Sequence, residues 1–217
     1  MMAATNLKKV FILLGYYNYT VWLTFIGLLS SVCGIFLAFG GNVRGAVMCL
    51  LFSGFCDMFD GKVARTKKDR TDEEKRFGIQ LDSLSDIVCF GVLPAVISVS
   101  VGSGKIWQLA IAALFVLCGL IRLAYFNVTE ETRQQATSEN RKMYSGLPIT
   151  SSAILVPLLM CFEKALGNAF PFAYTILLAV MGACFITPLN VKKPGLWGGI
   201  IMLVAGAAVF IAILLLK

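Results

Sequence analysis

Apolar residues run in blocks about 20 residues long, the length of a bilayer-spanning helix, with polar residues gathered between them. The pattern predicts seven transmembrane helices, over residues 20–39, 44–65, 79–101, 105–126, 147–164, 169–188 and 196–216. Residues 5–17 set Lys8 and Lys9 before Phe11, Ile12, Leu13 and Leu14, which predicts a helix lying in the membrane interface ahead of the first span. Most connections are short and marked by glycine: Gly40-Gly41, Gly102 to Gly104, Gly167-Asn168 and Pro194-Gly195. Two are longer and charged, residues 66–77 and 127–146. No repeat, cleavable leader or appended soluble domain is expected. The expected fold class is all-α, a polytopic membrane helical bundle formed as a single domain over residues 1–217.

Composition supports that class. The chain is 58% hydrophobic and 14% charged, with a mean hydropathy of +0.82, whereas soluble domains carry about 25% charged residues. Histidine is absent, which excludes His-based triads, HExxH zinc sites and haem ligation by His. The seven cysteines form no CxxC pair and lie in or beside apolar runs, so they read as small hydrophobes without a disulfide framework.

The net charge of +7 is distributed unevenly. With the N-terminus in the cytoplasm, alternating spans leave only Arg44, Lys105, Lys164 and Lys217 on the outer side, and every other basic residue on the inner side. That asymmetry is the positive-inside pattern, and it predicts a cytoplasmic N-terminus.

Four aspartates fall within the apolar spans or at their inner ends: Asp57, Asp60, Asp82 and Asp86. A charged side chain at mid-membrane costs about 2.5–3.5 kcal/mol on insertion scales, and four acids together repel one another. Asp57 and Asp60 are spaced i, i+3, and Asp82 and Asp86 are spaced i, i+4, so each pair shares one face of its helix. Two such faces on neighbouring antiparallel helices make a hard-oxygen cage that two divalent cations, Mg²⁺ or Mn²⁺, would neutralise. Acids snorkelling into water at helix ends and an ion-transport path are the two other readings of the same spacing.

The residues around the acids read Asp57-x-x-Asp60-Gly61-x-x-Ala64-Arg65, then twelve residues, then Gly78-x-x-x-Asp82-x-x-x-Asp86. This closely resembles the signature of the CDP-alcohol phosphatidyltransferases, which move a phosphatidyl group from a CDP-linked lipid to an alcohol. The spacer between Arg65 and Gly78 is longer than the family's usual one, and the polar insertion is expected to lengthen the cytoplasmic loop without moving the aspartates. The resemblance implies that Asp57, Asp60 and Asp82 hold one metal and that Asp57, Asp82 and Asp86 hold the other. It further implies that Gly61, Ala64, Arg65 and Gly78 cradle the CDP group, and that Asp86 is the general base. The family core has six helices, so the last span, 196–216, is an addition with no chemistry assigned to it.

Further stretches resemble the phosphatidylserine synthase branch: Leu81 to Asp86, Phe90-Gly91-Val92-Leu93-Pro94-Ala95, Arg122-Leu123-Ala124-Tyr125-Phe126-Asn127 and Tyr144-Ser145-Gly146-Leu147-Pro148. The implied substrates are CDP-diacylglycerol and L-serine, with cytidine monophosphate released at a cytoplasmic active site. Serine carries a carboxylate, and Arg122, Asn127, Arg141, Lys142, Tyr144 and Ser145 are the candidates to bind it. Glycerol 3-phosphate or an inositol phosphate as acceptor, and a divalent-cation transporter, are the alternatives. Membrane lipids are expected partners and nucleic acid is not; Gly41-x-x-x-Gly45 would allow helix packing or a homodimer.

Overall fold

The computed structural model describes residues 15–102, 104–136, 143–192 and, near the C-terminus, 204, 206–208, 210 and 211. Residues 5–14 of the expected interfacial helix and most of the expected seventh span therefore lie outside the described residues, and residues 15–17 are not helical. The elements are α1 (Trp22–Phe39), α2 (Val43–Ala64), α3 (Asp72–Asp86), α4 (Leu93–Val101), α5 (Ile106–Ala136), β1 (Met143–Ser145), α6 (Ser152–Met160), α7 (Glu163–Leu166), α8 (Phe170–Ile186) and β2 (Asn190–Lys192). A π-helical turn, Ile87–Val92, joins α3 to α4.

Among the described residues, four helical stretches are long and apolar enough to cross a membrane: Tyr19–Phe39, Asp72–Val101, Ile106–Arg133 and Glu163–Ile186. They are the mark of an integral membrane protein. Helix α2 has 22 residues but carries Arg44, Asp57, Asp60 and Lys62, which keeps it out of that apolar set. Apolar side chains face outward on several helices, with Leu29 65%, Leu114 57% and Val180 55% exposed, as a lipid-facing surface requires.

Helices α1 and α2 form a hairpin. Asn42 caps α2 by accepting from the Gly45 N–H at 2.9 Å. Gly41 turns the chain with φ +78°, a left-handed conformation that glycine adopts without penalty. The Gly41-x-x-x-Gly45 spacing thus belongs to a turn and its cap, because Gly41 lies outside either helix. Close packing comes instead from Gly34, where a Cβ would lie 2.9 Å from Cys49 Cβ, and from Gly54, where one would lie 2.6 Å from Ala153 Cβ.

The middle of the bundle is tied by hydroxyls that satisfy backbone groups inside an apolar interior. Ser53 Oγ donates to the Gly27 carbonyl at 2.8 Å and pairs with Ser31 Oγ at 2.8 Å. Pro94 has no N–H to offer the Phe90 carbonyl one turn back; Ser152 Oγ donates to that carbonyl at 2.8 Å instead. The Tyr174 hydroxyl donates to the Pro94 carbonyl at 3.2 Å and joins α8 to the same point.

Three predicted boundaries shift. The helix placed at 79–101 begins at Asp72, because Thr71 and Glu74 form a capping box: Thr71 Oγ1 accepts from Glu74 N–H and Glu74 Oε2 from Thr71 N–H, both at 3.1 Å. Helix α5 runs past residue 126 to Ala136, supported by the Glu130–Arg133 pair at 2.6 Å. The span predicted at 147–164 is broken into a 3₁₀ turn (Ile149–Ser151), α6 and α7. Its apolar part, Ile149–Met160, is about 18 Å long at 1.5 Å per residue, short of a hydrocarbon core of about 30 Å. A ribbon of two three-residue strands accompanies the helices of the all-α fold. Strands β1 and β2 pair antiparallel with Tyr144 opposite Val191, and Gly146 N–H continues the ribbon to the Leu189 carbonyl at 2.7 Å.

Candidate active site

The last two turns of α2 and the second half of α3 bring the aspartates together. One carboxylate oxygen from each of Asp57, Asp82 and Asp86 lies within 4.8 Å of the others. Asp60 lines one cavity together with Asp82, and it accepts from Thr24 Oγ1 of α1 at 3.4 Å. All four are partly buried. The i, i+3 and i, i+4 spacings thus do in three dimensions what a shared helix face demands. The π-helical turn begins directly after Asp86, a wider backbone that is frequent at functional sites.

Members of the cluster line two cavities, one with several charged residues in its wall and the other mostly apolar. One, of about 280 Å³, is walled by Thr20 and Thr24 of α1, by Asp60, Gly61 and Ala64 of α2, and by Gly78 and Asp82 of α3. Arg70 and Lys75 close it from the α2–α3 connection and the first turn of α3. The other, of about 430 Å³, is a greasy groove between Phe52, Phe55, Met58, Ile154 and Phe210, and Asp57 is the charged residue in its wall. Residues of the last span, assigned no chemistry from sequence, therefore line a cavity that reaches the acids.

The predicted CDP cradle is brought together in all but one member. Gly61, Ala64 and Gly78 share the polar cavity with Asp60 and Asp82. Arg65 does not line it; its Nε donates to the Gly61 carbonyl at 2.9 Å and the side chain is exposed. Arg70, which sequence reasoning passed over as part of a polar insertion, lies there instead.

Arg122, on α5, is 7% exposed. Its Nε donates to the Leu147 carbonyl at 2.8 Å, and its guanidinium lies 5.1 Å from the Phe126 ring centroid. Asn127 is turned toward α3, donating from Nδ2 to Ser83 Oγ at 2.9 Å. Tyr144 and Ser145 belong to β1, whose backbone pairs with β2. Arg141 and Lys142 lie outside the described residues.

Residues 17–213 match the family model for CDP-alcohol phosphatidyltransferase. The chain belongs to this family. It is 39% identical over 116 residues to the CDP-diacylglycerol–serine O-phosphatidyltransferase of Saccharomyces cerevisiae, a match covering 52% of this chain and 41% of the yeast protein. It is 33% identical over 178 residues to the enzyme of the same name from Helicobacter pylori strain 26695, covering 78% of this chain and 69% of that one. The archaetidylserine synthase of Methanothermobacter thermautotrophicus is 34% identical over 144 residues, or 65% of this chain and 58% of its own length. Two of these three relatives are thus matched over less than two thirds of their length. Family membership makes the acids and the two cavities the place to look for chemistry on a CDP-linked substrate.

The donor set fits divalent metal. Four carboxyl groups converge, three of them with oxygens close enough to share one ion. Hard oxygen donors without thiolate or imidazole suit Mg²⁺ or Mn²⁺.

Proposed function

We propose that this protein is a phosphatidylserine synthase, transferring the phosphatidyl group of CDP-diacylglycerol to the hydroxyl of L-serine with release of cytidine monophosphate. The observation that carries the reading is a carboxylate cluster whose members line both a polar cavity and an apolar groove. A CDP-lipid has the same two halves, a nucleotide that needs polar walls and acyl chains that need apolar ones. The names of the relatives supply the acceptor, and the buried guanidinium of Arg122 is the group for the serine carboxylate.

In this account the cytidine diphosphate occupies the cavity of Gly61, Ala64 and Gly78, and acyl chains lie in the groove of Phe52, Phe55 and Phe210. Asp57, Asp60 and Asp82 would hold one divalent cation and Asp57, Asp82 and Asp86 a second. Such ions, when bound, offset charge on the diphosphate and on the departing phosphate. Asp86 accepts the proton of the serine hydroxyl, whose oxygen forms a new bond to the lipid-side phosphorus. The bond from that phosphorus to the bridging oxygen breaks, and cytidine monophosphate leaves with the electron pair. Transfer is direct, without a phosphatidyl-enzyme. The basic residues around Lys62 to Arg76 favour a cytoplasmic site and a cytoplasmic N-terminus.

The test is a competition. Purified protein in detergent receives CDP-diacylglycerol, Mg²⁺ or Mn²⁺, and equal amounts of serine, glycerol 3-phosphate and an inositol phosphate, and the lipid product is weighed by mass spectrometry. Phosphatidylserine as the main product is expected. A phosphorylated headgroup would replace the acceptor, and unchanged CDP-lipid would move the aspartates to ion transport.

A further inference from the structure

The connection between α2 and α3 contributes a cation that the signature does not contain. Arg70 lies within the twelve-residue spacer between Arg65 and Gly78. Its guanidinium fills the niche left by the missing side chain of Gly78, where a Cβ would stand 2.7 Å from Arg70 Nη2. Two backbone carbonyls fix it: Nη1 donates to Ala64 at 3.4 Å and Nη2 to Glu74 at 3.2 Å. Both are neutral acceptors, and the buried Nε meets no hydrogen-bond partner. A guanidinium has five N–H donors; the two carbonyls take one from each Nη group, which leaves two more at the wall of the polar cavity.

Two neighbouring lysines are paired with carboxylates, and Arg65 lies outside the cavity wall. Lys67 Nζ is bonded to Glu74 at 3.0 Å, Lys75 Nζ to Asp72 at 3.0 Å, and Arg65 to the Gly61 carbonyl. Arg70 therefore supplies fixed positive charge where Gly61, Ala64 and Gly78 admit a ligand, in the cavity that Asp60 and Asp82 also wall. A partly buried cation held by carbonyls alone is stabilised by an anion arriving in the cavity.

We infer that Arg70 is a substrate-binding residue that takes the nucleotide phosphate of the CDP-linked lipid, the phosphate that departs as cytidine monophosphate. The inference rests on the proposed function for the identity of the lipid. It gives the longer spacer a purpose: to bring a guanidinium over Gly78 and take the place of Arg65, whose side chain is folded onto its own helix. The competing role is structural, since an arginine on the Ala64 carbonyl also caps the C-terminus of α2.

Arg70→Gln separates the two roles, because glutamine keeps an N–H₂ for a carbonyl and loses the charge. Calorimetric binding of CDP with Mg²⁺ to the full chain in detergent is compared for wild type, Arg70→Gln and Arg70→Lys, beside thermal midpoints and the KM for each substrate. Loss of CDP affinity by about 10- to 100-fold is expected in Arg70→Gln, the range for a lost hydrogen bond to a charged group. Partial recovery is expected in Arg70→Lys, with the serine KM unchanged. CDP affinity within twofold of wild type in Arg70→Gln would overturn the inference, as would a wild type that binds no CDP. Binding that follows the expectation in a protein that uses another acceptor would uphold Arg70 and sink only the serine reading.

Discussion

Ser83, between the two acids of α3, shares a hydrogen bond with Asn127 of α5 at 2.9 Å, and this contact crosses the bundle beside the carboxylate cluster. Asp82 precedes Ser83 directly and Asp86 follows by less than a turn, so the bond fixes the rotation of α3 about its axis. Asn127 is thereby a positioning residue, in addition to being a candidate for the serine pocket. Asn127→Ala and Ser83→Ala should each lower kcat about fivefold, as expected for one hydrogen bond of about 1 kcal/mol. The double variant should be no worse than either single one. Fully additive losses in that cycle would show that the two residues act independently.

Three of the four acids define the strongest expectation. Asp57→Asn, Asp82→Asn and Asp86→Asn should each reduce turnover roughly a thousandfold, because each removes a ligand that two ions share or the proton acceptor. Mn²⁺ binding followed by electron paramagnetic resonance should weaken in parallel. A variant that binds Mn²⁺ as the wild type does, and still turns over, would remove that residue from the metal centre.

Gly78 permits a prediction in which activity falls without a loss of stability. In an exposed helix interior Gly→Ala stabilises by about 0.5–1 kcal/mol. Here the added Cβ would stand 2.7 Å from Arg70 Nη2, and the flexible end of that side chain must give way. Gly78→Ala should leave the thermal midpoint unchanged or higher while raising the KM for CDP-diacylglycerol. An unchanged KM would mean that nothing binds over residue 78.

Arg122 is the group expected to hold the serine carboxylate. Arg122→Lys keeps the charge and loses the planar fork, so the serine KM should rise about tenfold with the CDP-lipid KM little changed. Arg122→Ala should also destabilise the fold by about 1–3 kcal/mol, because the Leu147 carbonyl loses its donor. The opposite kinetic pattern, with CDP-lipid use impaired and serine use intact, would reassign Arg122 to the nucleotide side.

What could be read in the chain before folding follows from the range of each interaction. Asp57 with Asp60 and Asp82 with Asp86 are local pairs, and their spacing carries the cluster directly. The early start of α3 was also written locally, in Thr71-Asp72-Glu73-Glu74, although its charges made it resemble a loop. Arg70 was hidden because its value depends on a niche at Gly78 and on carbonyls at Ala64 and Glu74, which converge only once α2 and α3 are in place. Arg65 lies outside the cavity wall, with its Nε donating to the Gly61 carbonyl one turn back on α2. The ribbon of β1 with β2 joins residues more than forty positions apart, and three-residue strands carry no periodicity to read. Hydropathy marked 147–164 as one span, but it does not register the turn after Met160 that breaks the segment into α6 and α7.

The central claim is that the carboxylate cluster moves a phosphatidyl group from CDP-diacylglycerol to serine. Release of cytidine monophosphate by the purified chain in detergent, with Mg²⁺ or Mn²⁺, measures it most directly. The account predicts release that requires serine, stops with EDTA and yields one phosphatidylserine for each cytidine monophosphate. Release at the same rate without serine, or no release from folded protein with any acceptor, would contradict it.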